Sequence, residues 1–305
     1  MRFGNPFPEI YVDGCFVPEQ EARLSVLANV VSYGTGTFEG IRAGWDSSRE
    51  QLHLLEPQAH YERLARSARI LGLELGPSPA ELVEATAELL RRNRVRGDAY
   101  VRPLLVQAGE QLTVRMHEAG TRLMIAATPM PGNYIDQSGV RCMVSSWRRT
   151  PDGTLPNRAK VVGGYVGPAL AKTEALRCGF DEAILLTADG YVAEATTSNV
   201  FLRLAGEWVT PPETDDILAG ITRAQVMRLL AEEHGAATVQ RRVQRSELYA
   251  CEEAFLCGTA ALLAPIVSVD GRALEVGATT LAVQDRLRDI SRRHHEWTIP
   301  VYGGR

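Results

Sequence analysis

The sequence predicts an α+β protein built as two domains. Three observations carry that reading. Residues 1–128 hold a hairpin, two helical patterns and several strands, enough for one α+β unit. From residue 140 to 305 strands dominate and helices fall between them irregularly. That stretch does not alternate βαβα, so a doubly wound parallel sheet is not expected. Between the two lies "PMPGNYIDQSG", residues 129–139, where proline, glycine and polar residues separate two apolar strands, as in a linker. The expected division is a smaller N-terminal domain, 1–128, an interdomain loop, 129–139, and a larger C-terminal domain, 140–305.

Each element has its own signal. "EIYVDGCFVP" reads as a hairpin turning at Asp13–Gly14. A Gly-rich stretch, "SYGTGTFEGIRAG", and the strand "QLHLL" follow. Helical patterns cover about residues 57–72 and 79–93, the second opening at Ser78–Pro79. "AYVRPLLVQ" and "RLMIAATPM" read as strands. After the linker come the strand "VRCMVSSW", a helix from about Gly164 to Cys178, and strands around the Asp189–Gly190 turn. "AGITRAQVMRLLAEEHG" is a helix closed by Gly235. The strands "ATVQRRV", "EEAFLCG" and "LLAPIVSVDG" precede an amphipathic helix that ends the chain.

Composition excludes several classes. At 305 residues, 45% hydrophobic and 23% charged, the chain is an ordinary globular one. A net charge of −4 without a dense basic run argues against nucleic acid. No apolar stretch is of membrane-spanning length and the N-terminus lacks a signal-peptide core, so the expected address is the cytoplasm. Five cysteines, an odd count with no CxxC, and six histidines without ligand spacing give no disulfide framework and no metal site.

The chemistry starts from a scarcity. Of 33 basic residues only Lys160 and Lys172 are lysine. Lysine can lose its proton and attack a carbonyl, whereas arginine stays protonated, so one of the two is a candidate Schiff-base former. Other signals are weak singly. "GIT", Gly220–Thr222, opens a helix, as a phosphate site or a plain N-cap would. "GTAA", Gly258–Ala261, follows an apolar strand and can present amides to an anion. Glu194 ends an apolar strand, as a paired carboxylate or an edge-strand glutamate would. Tyr100 and Arg102 are two apart in a strand and so share a face, an arrangement suited to a carboxylate. Arg63 lies in a helical pattern between apolar positions. "YGTGTFEG" fits neither the P-loop nor the dinucleotide fingerprint, and its glycines read as a tight turn near another subunit.

In their order and spacing, these segments resemble the class IV (fold type IV) pyridoxal-phosphate aminotransferases, most closely the branched-chain amino acid aminotransferases. The resemblance spans nearly the whole chain. It rests on "YGTGTFEGIR", "AHYERL", "AYVRPL", "VSSWRR", "AKVVGGY", "AKTEALRCGFDEAILLTADGYVAE", "SNVF", "LAGITR" and "CGTAA". It implies pyridoxal 5'-phosphate as cofactor and a homodimer or larger homo-oligomer. Lys160 then matches the Schiff-base lysine and Lys172 a variable, solvated helix position. Arg63, Ile221, Thr222 and Thr259 match the phosphate cradle, Glu194 the carboxylate beside the pyridine nitrogen, and Tyr165 the phenol beside the ring hydroxyl. Tyr100, Arg102 and the Thr259–Ala260 amides match binders of the substrate carboxylate. Phe38 matches an apolar pocket wall, Arg42 another pocket residue, and Tyr33 a residue lent by the neighbouring subunit. The implied reaction moves an amino group between a branched-chain or other apolar L-amino acid and 2-oxoglutarate.

Ala195–Asn199 depart from the branched-chain pattern. The serine and threonine run there leaves open a D-amino acid aminotransferase or a lyase of the aminodeoxychorismate type. The linker offers Met130 and Tyr134 as pocket-closing side chains.

Overall fold

The computed structural model describes residues 3–130 and 135–303; Tyr134 and the rest of residues 131–134 lie outside them. The chain divides into two compact units. The first comprises Met1–Tyr134, Ala159–Gly163 and Asp289–Arg305; the second comprises Ile135–Arg158 and Gly164–Arg288. This differs from the contiguous division expected at 129–139. Two excursions from the C-terminal half, one of them carrying Lys160, belong to the first unit, and the units come out similar in length. Pro129 is also the last residue of a strand, not the start of a loop.

In the first unit the hairpin forms as expected: β1 (Glu9–Val12) and β2 (Cys15–Pro18) flank Asp13 and Gly14, both at positive φ. A short helix, α1 (Asn29–Tyr33), precedes β3 (Gly36–Phe38), β4 (Ile41–Asp46) and β5 (Gln51–Leu55). Helix α2 (Pro57–Leu71) starts on a proline and stops at Gly72, whose φ of 66° lets its N–H reach the carbonyls of Ala68 and Arg69. Helix α3 (Pro79–Arg92) opens with a capping box: the Ser78 hydroxyl accepts from the Glu81 N–H, and the Glu81 carboxylate accepts from the Ser78 N–H. Strands β6 (Ala99–Gln107) and β7 (Thr121–Pro129) complete the unit's chain order.

Their sheet has eight strands among the described residues, with β5, β4, β6, β7, β1 and β2 adjacent in that order and β3 paired to β6. The eighth strand is Thr298–Pro300, antiparallel to β5. The chain therefore continues into the sheet after its last helix. The core is Ile41, Leu52, Leu54, Tyr61, Leu64, Leu82, Leu89, Leu90 and Ile125, all fully buried. The helices lay their apolar stripes on one face of the sheet.

The second unit runs β8 (Val140–Arg148), α4 (Val166–Arg177), β9 (Glu182–Leu186), β10 (Val192–Ala195), β11 (Asn199–Leu204), β12 (Glu207–Thr210) and α5 (Ile221–His234). Then come β13 (Thr238–Gln240), β14 (Glu253–Gly258), β15 (Leu262–Val269), β16 (Arg272–Ala273) and α6 (Ala278–Ile290). Its sheet is mixed: β8 is parallel to both β9 and β15, while β14 is antiparallel to β11 and β15. "ATVQRRV" shrinks to three residues because β13 pairs only with β12, at the edge. No helix among the described residues is long and apolar enough to cross a membrane.

Candidate active site

In the first unit, Lys160 is held by its backbone. Its carbonyl accepts from the Phe38 N–H (3.1 Å) and the Thr37 hydroxyl (3.0 Å), and its N–H donates to the Ser67 hydroxyl (3.2 Å). The Val162 N–H reaches Gly36 and the Gly163 N–H reaches Gly34, so the segment runs alongside β3 as an added rung. This accounts for the first glycine of "YGTGTFEG". Gly34 has φ 66°, and a Cβ there would lie 2.7 Å from the Gly163 Cα. Gly34 thus admits the segment that carries Lys160. Gly34→Ala is expected to cost about 1–2 kcal/mol for the left-handed backbone alone. The steric conflict adds to that, and chemical denaturation of the variant measures the total.

Around this segment several of the sequence-predicted residues converge. The Lys160 Nζ sits 5.0 Å from the Phe38 ring centroid, and the Arg102 guanidinium stacks on the same ring at 4.5 Å. Arg102 also donates to the Tyr100 hydroxyl at 3.3 Å. Arg42 stands opposite Tyr100 in the β4–β6 register, which puts both on the face shared with Arg102. Asp98 anchors Arg42 at 3.7 Å and also pairs with Arg292 at 2.7 Å. Gly40 completes the group, because a Cβ there would overlap the Tyr100 hydroxyl. Tyr33, by contrast, is 41% exposed at the end of α1.

Arg63 is committed to a partner that sequence reasoning missed. Its Nε and Nη2 donate to the two oxygens of Glu39, at 2.6 and 2.8 Å, and His60 Nδ1 lies 2.8 Å from the same carboxylate. All three side chains are buried. Burial pushes the Glu39 carboxyl up, but the Arg63 charge and the hydrogen bonds from Arg63 and His60 outweigh it, leaving the group well below the usual carboxylate range. Burial likewise lowers His60, more than Glu39 raises it. His60 is therefore a neutral donor here, and the charge pair is Arg63–Glu39.

In the second unit, Tyr165 closes a 3-10 turn, Gly163–Tyr165, and is the N-cap residue of α4. Glu194 on β10 is 7% exposed and held from three segments. Arg149, just past β8, pairs with it at 3.0 Å; Asn199 Nδ2 donates at 3.1 Å and the Leu218 N–H at 3.2 Å. Ile221 and Thr222 form the first turn of α5, whose N-cap, Gly220, supplies no side-chain cap. An uncapped opening of a 14-residue helix is a natural anion seat. Thr259 and Ala260 occupy the turn joining β14 to β15.

A protein-family model described as amino-transferase class IV matches residues 36–269. The chain belongs to the class IV aminotransferase family. A probable branched-chain-amino-acid aminotransferase of Aquifex aeolicus is 43% identical over 300 residues, covering 96% of each chain. Among solved structures, the branched-chain aminotransferase of Thermoproteus uzoniensis with norvaline superposes with a TM-score of 0.93 at 38% identity, covering 98% of this chain and 100% of that one. The T.th. branched-chain amino acid aminotransferase, complexed with N-(5'-phosphopyridoxyl)-L-glutamate, gives 0.90 at 35% identity, covering 99% and 100%.

One expectation needs correcting in this class IV aminotransferase. Lys172 keeps 37% of its side chain exposed, but its amine is engaged rather than free in solvent. Its Nζ donates to the buried Glu182 carboxylate at 2.8 Å and to the Asp181 carbonyl at 2.7 Å, because that carboxylate requires a cation. Four residues that position others also went unread: Glu39, Asp98, Arg149 and Asn199. Glu39 had a signal, a carboxylate inside the apolar run "TFEGI".

Proposed function

We propose that the chain is a pyridoxal 5'-phosphate-dependent transaminase of apolar, branched-chain L-amino acids, with 2-oxoglutarate as amino acceptor, working in the cytoplasm as a homodimer or larger homo-oligomer. The observation that carries it is the gathering of Lys160, Phe38, Arg102 and Tyr100 in one place. The complex of the T.th. relative with a phosphopyridoxyl-glutamate supports both the cofactor and the acidic partner substrate.

The donor set fits the cofactor's chemistry. The uncapped start of α5 offers amides to a dianionic phosphate, and Thr222 adds a hydroxyl. Glu39 holds Arg63 through its Nε and Nη2, so the guanidinium would meet the phosphate as an oriented cation within a neutralised pair. Thr259 joins that cradle. When bound, pyridoxal 5'-phosphate supplies an aldehyde for an amine to join and a ring that draws electrons from a substrate carbon. Lys160 provides the amine that holds it. With its amine free, Lys160 would take the proton from the substrate α-carbon as a base and give it back as an acid. Glu194 would hold the ring nitrogen and Tyr165 the ring hydroxyl. Tyr100, Arg102 and the Thr259–Ala260 amides orient the substrate carboxylates. Phe38 receives the apolar side chain, with Arg42 beside it and Tyr33 supplied by a second copy.

The direct test is a single-turnover screen of both enantiomers of leucine, isoleucine, valine, alanine and glutamate, followed by the visible band. Bleaching by L-leucine and L-glutamate supports the reading. Bleaching only by D-amino acids, or pyruvate release from an amino-chorismate, transfers the chain to the alternatives.

One pocket must take leucine's side chain and glutamate's second carboxylate in turn, and a buried carboxylate needs a donor. Arg102→Met keeps the stem over Phe38 and removes the fork. Glutamate bleaching is expected to slow at least about tenfold while leucine bleaching changes much less, given about 2–5 kcal/mol for a lost buried charge contact. Equal losses would instead place Arg102 on the carboxylate common to both.

A further inference from the structure

We propose that Asn199 is a positioning residue that ties the Glu194 carboxylate to the turn opening α5, so that the two act as one rigid piece. The inference rests on the reading above, in which Glu194 meets the cofactor ring and the α5 opening meets its phosphate.

The geometry is a closed loop of hydrogen bonds. Asn199 Nδ2 donates both to Glu194 Oε2 and to the Leu218 carbonyl, each at 3.1 Å. The Leu218 N–H returns to the same Glu194 oxygen at 3.2 Å. Leu218 thus accepts from the asparagine and donates to the glutamate, and it lies two residues before the α5 N-cap. Asn199 and Glu194 are both buried, so water does not replace these bonds cheaply.

The other end of the amide is fixed by shape. A Cβ on Gly220 would lie 2.0 Å from Asn199 Oδ1. Gly220 has φ −73°, which any residue adopts, so the glycine is there for space. The asparagine oxygen rests in the gap that glycine leaves. One side chain therefore registers the carboxylate, the Leu218 carbonyl and the N-cap at once. Its place at the start of β11, paired to Cys257 of β14, sets it in the sheet. Arg149 adds a brace from outside the loop: it pairs with Glu194 and donates its Nε to the Asp216 carbonyl at 3.0 Å.

A rigid tie predicts that disturbing either end disturbs both. Asn199→Ala and Gly220→Ala are to be made singly and together, each holoprotein being titrated for its pyridoxal 5'-phosphate dissociation constant and for the pH profile of its visible band. Each single variant is expected to weaken cofactor binding about tenfold, the scale of one hydrogen bond to a charged group. Each is also expected to move the pH profile, which reports the ring end. The double variant should be little weaker than Asn199→Ala alone, because the severe conflict of the added methyl, at 2.0 Å, is with the asparagine, while the Arg223 Cβ lies at 3.1 Å.

Additive losses would overturn the proposal. So would a lowered melting temperature with unchanged cofactor affinity and pH profile, which is what a purely structural asparagine would give. A wild-type chain that takes up no cofactor would sink the proposed function instead. The tie would then be read from a thermal-melt cycle of Asn199→Ala with Glu194→Ala, where additivity again overturns it.

Discussion

Replacing Lys160 by arginine is expected to leave a folded protein that borohydride cannot join covalently to its cofactor. Arginine keeps the positive charge over the Phe38 ring, where the lysine Nζ now lies 5.0 Å from the centroid, but it does not add to an aldehyde. It also stays protonated, so the group proposed to move the substrate proton is lost. That loss alone is expected to slow turnover by about 10²–10⁴, or about 3–5 kcal/mol of barrier. Because the segment is fixed through its backbone amide and carbonyl, the fold should not change. Circular dichroism, borohydride trapping with peptide mapping, and single-turnover rates check the three parts. Label recovered on Lys172, or a rate within tenfold of wild type, would remove Lys160 from the chemistry.

The largest effect on stability is expected from Glu39→Gln. The amide matches the carboxylate in shape but removes the Glu39 charge from beside the buried Arg63, and breaking one half of a buried pair costs about 3–5 kcal/mol. Denaturant unfolding at neutral pH measures it. The pH dependence has a definite sign. Glu39 sits below its ordinary value of 4.5, so its stabilisation is present above that pH and disappears as pH falls through the lower folded value. His60 sits below its ordinary 6.5; the unfolded chain takes up that proton more readily, and stability again declines as pH falls below about 6.5. Both groups weaken the fold on acidification. The variant loses the carboxylate contribution, so its stability deficit should shrink below about pH 4.5. A deficit that stays constant down to low pH would show that Glu39 is not titrating as half of the pair.

The elements most legible in the sequence were those whose signals are local. The Asp13–Gly14 hairpin, α2 with its terminal glycine and α3 with its capping box can each be read within a dozen residues. The lysine scarcity likewise needed no neighbours in space. What escaped depends on pairing across long stretches of chain. Strand β12 has only four residues, and its turn uses Ala205 at positive φ in place of an asparagine. The strand Thr298–Pro300 is three residues long and ends in proline, and only β5, more than 240 residues earlier, makes it a strand. The same holds at the candidate site. Arg63 stood out as a cation in an apolar pattern, but its anion lies 24 residues away across a helix–strand packing. Arg149 and Asn199 sit on opposite sides of Glu194 in the chain and meet only at its carboxylate.

The strand at the far end of the chain also bears on biosynthesis. The first unit cannot be completed in the order in which it is made. After its first 134 residues have left the ribosome, the outer edge of β5 has no neighbour, and the rung that carries Lys160 has yet to arrive. At 5–20 residues per second the gap before residue 298 emerges lasts roughly ten to thirty seconds. Throughout that interval the nascent protein exposes an unpaired, apolar sheet margin, the kind of surface that other chains capture. Slower translation over the second unit is thus expected to lower yield, the exposed period ending when Thr298–Pro300 pairs with β5.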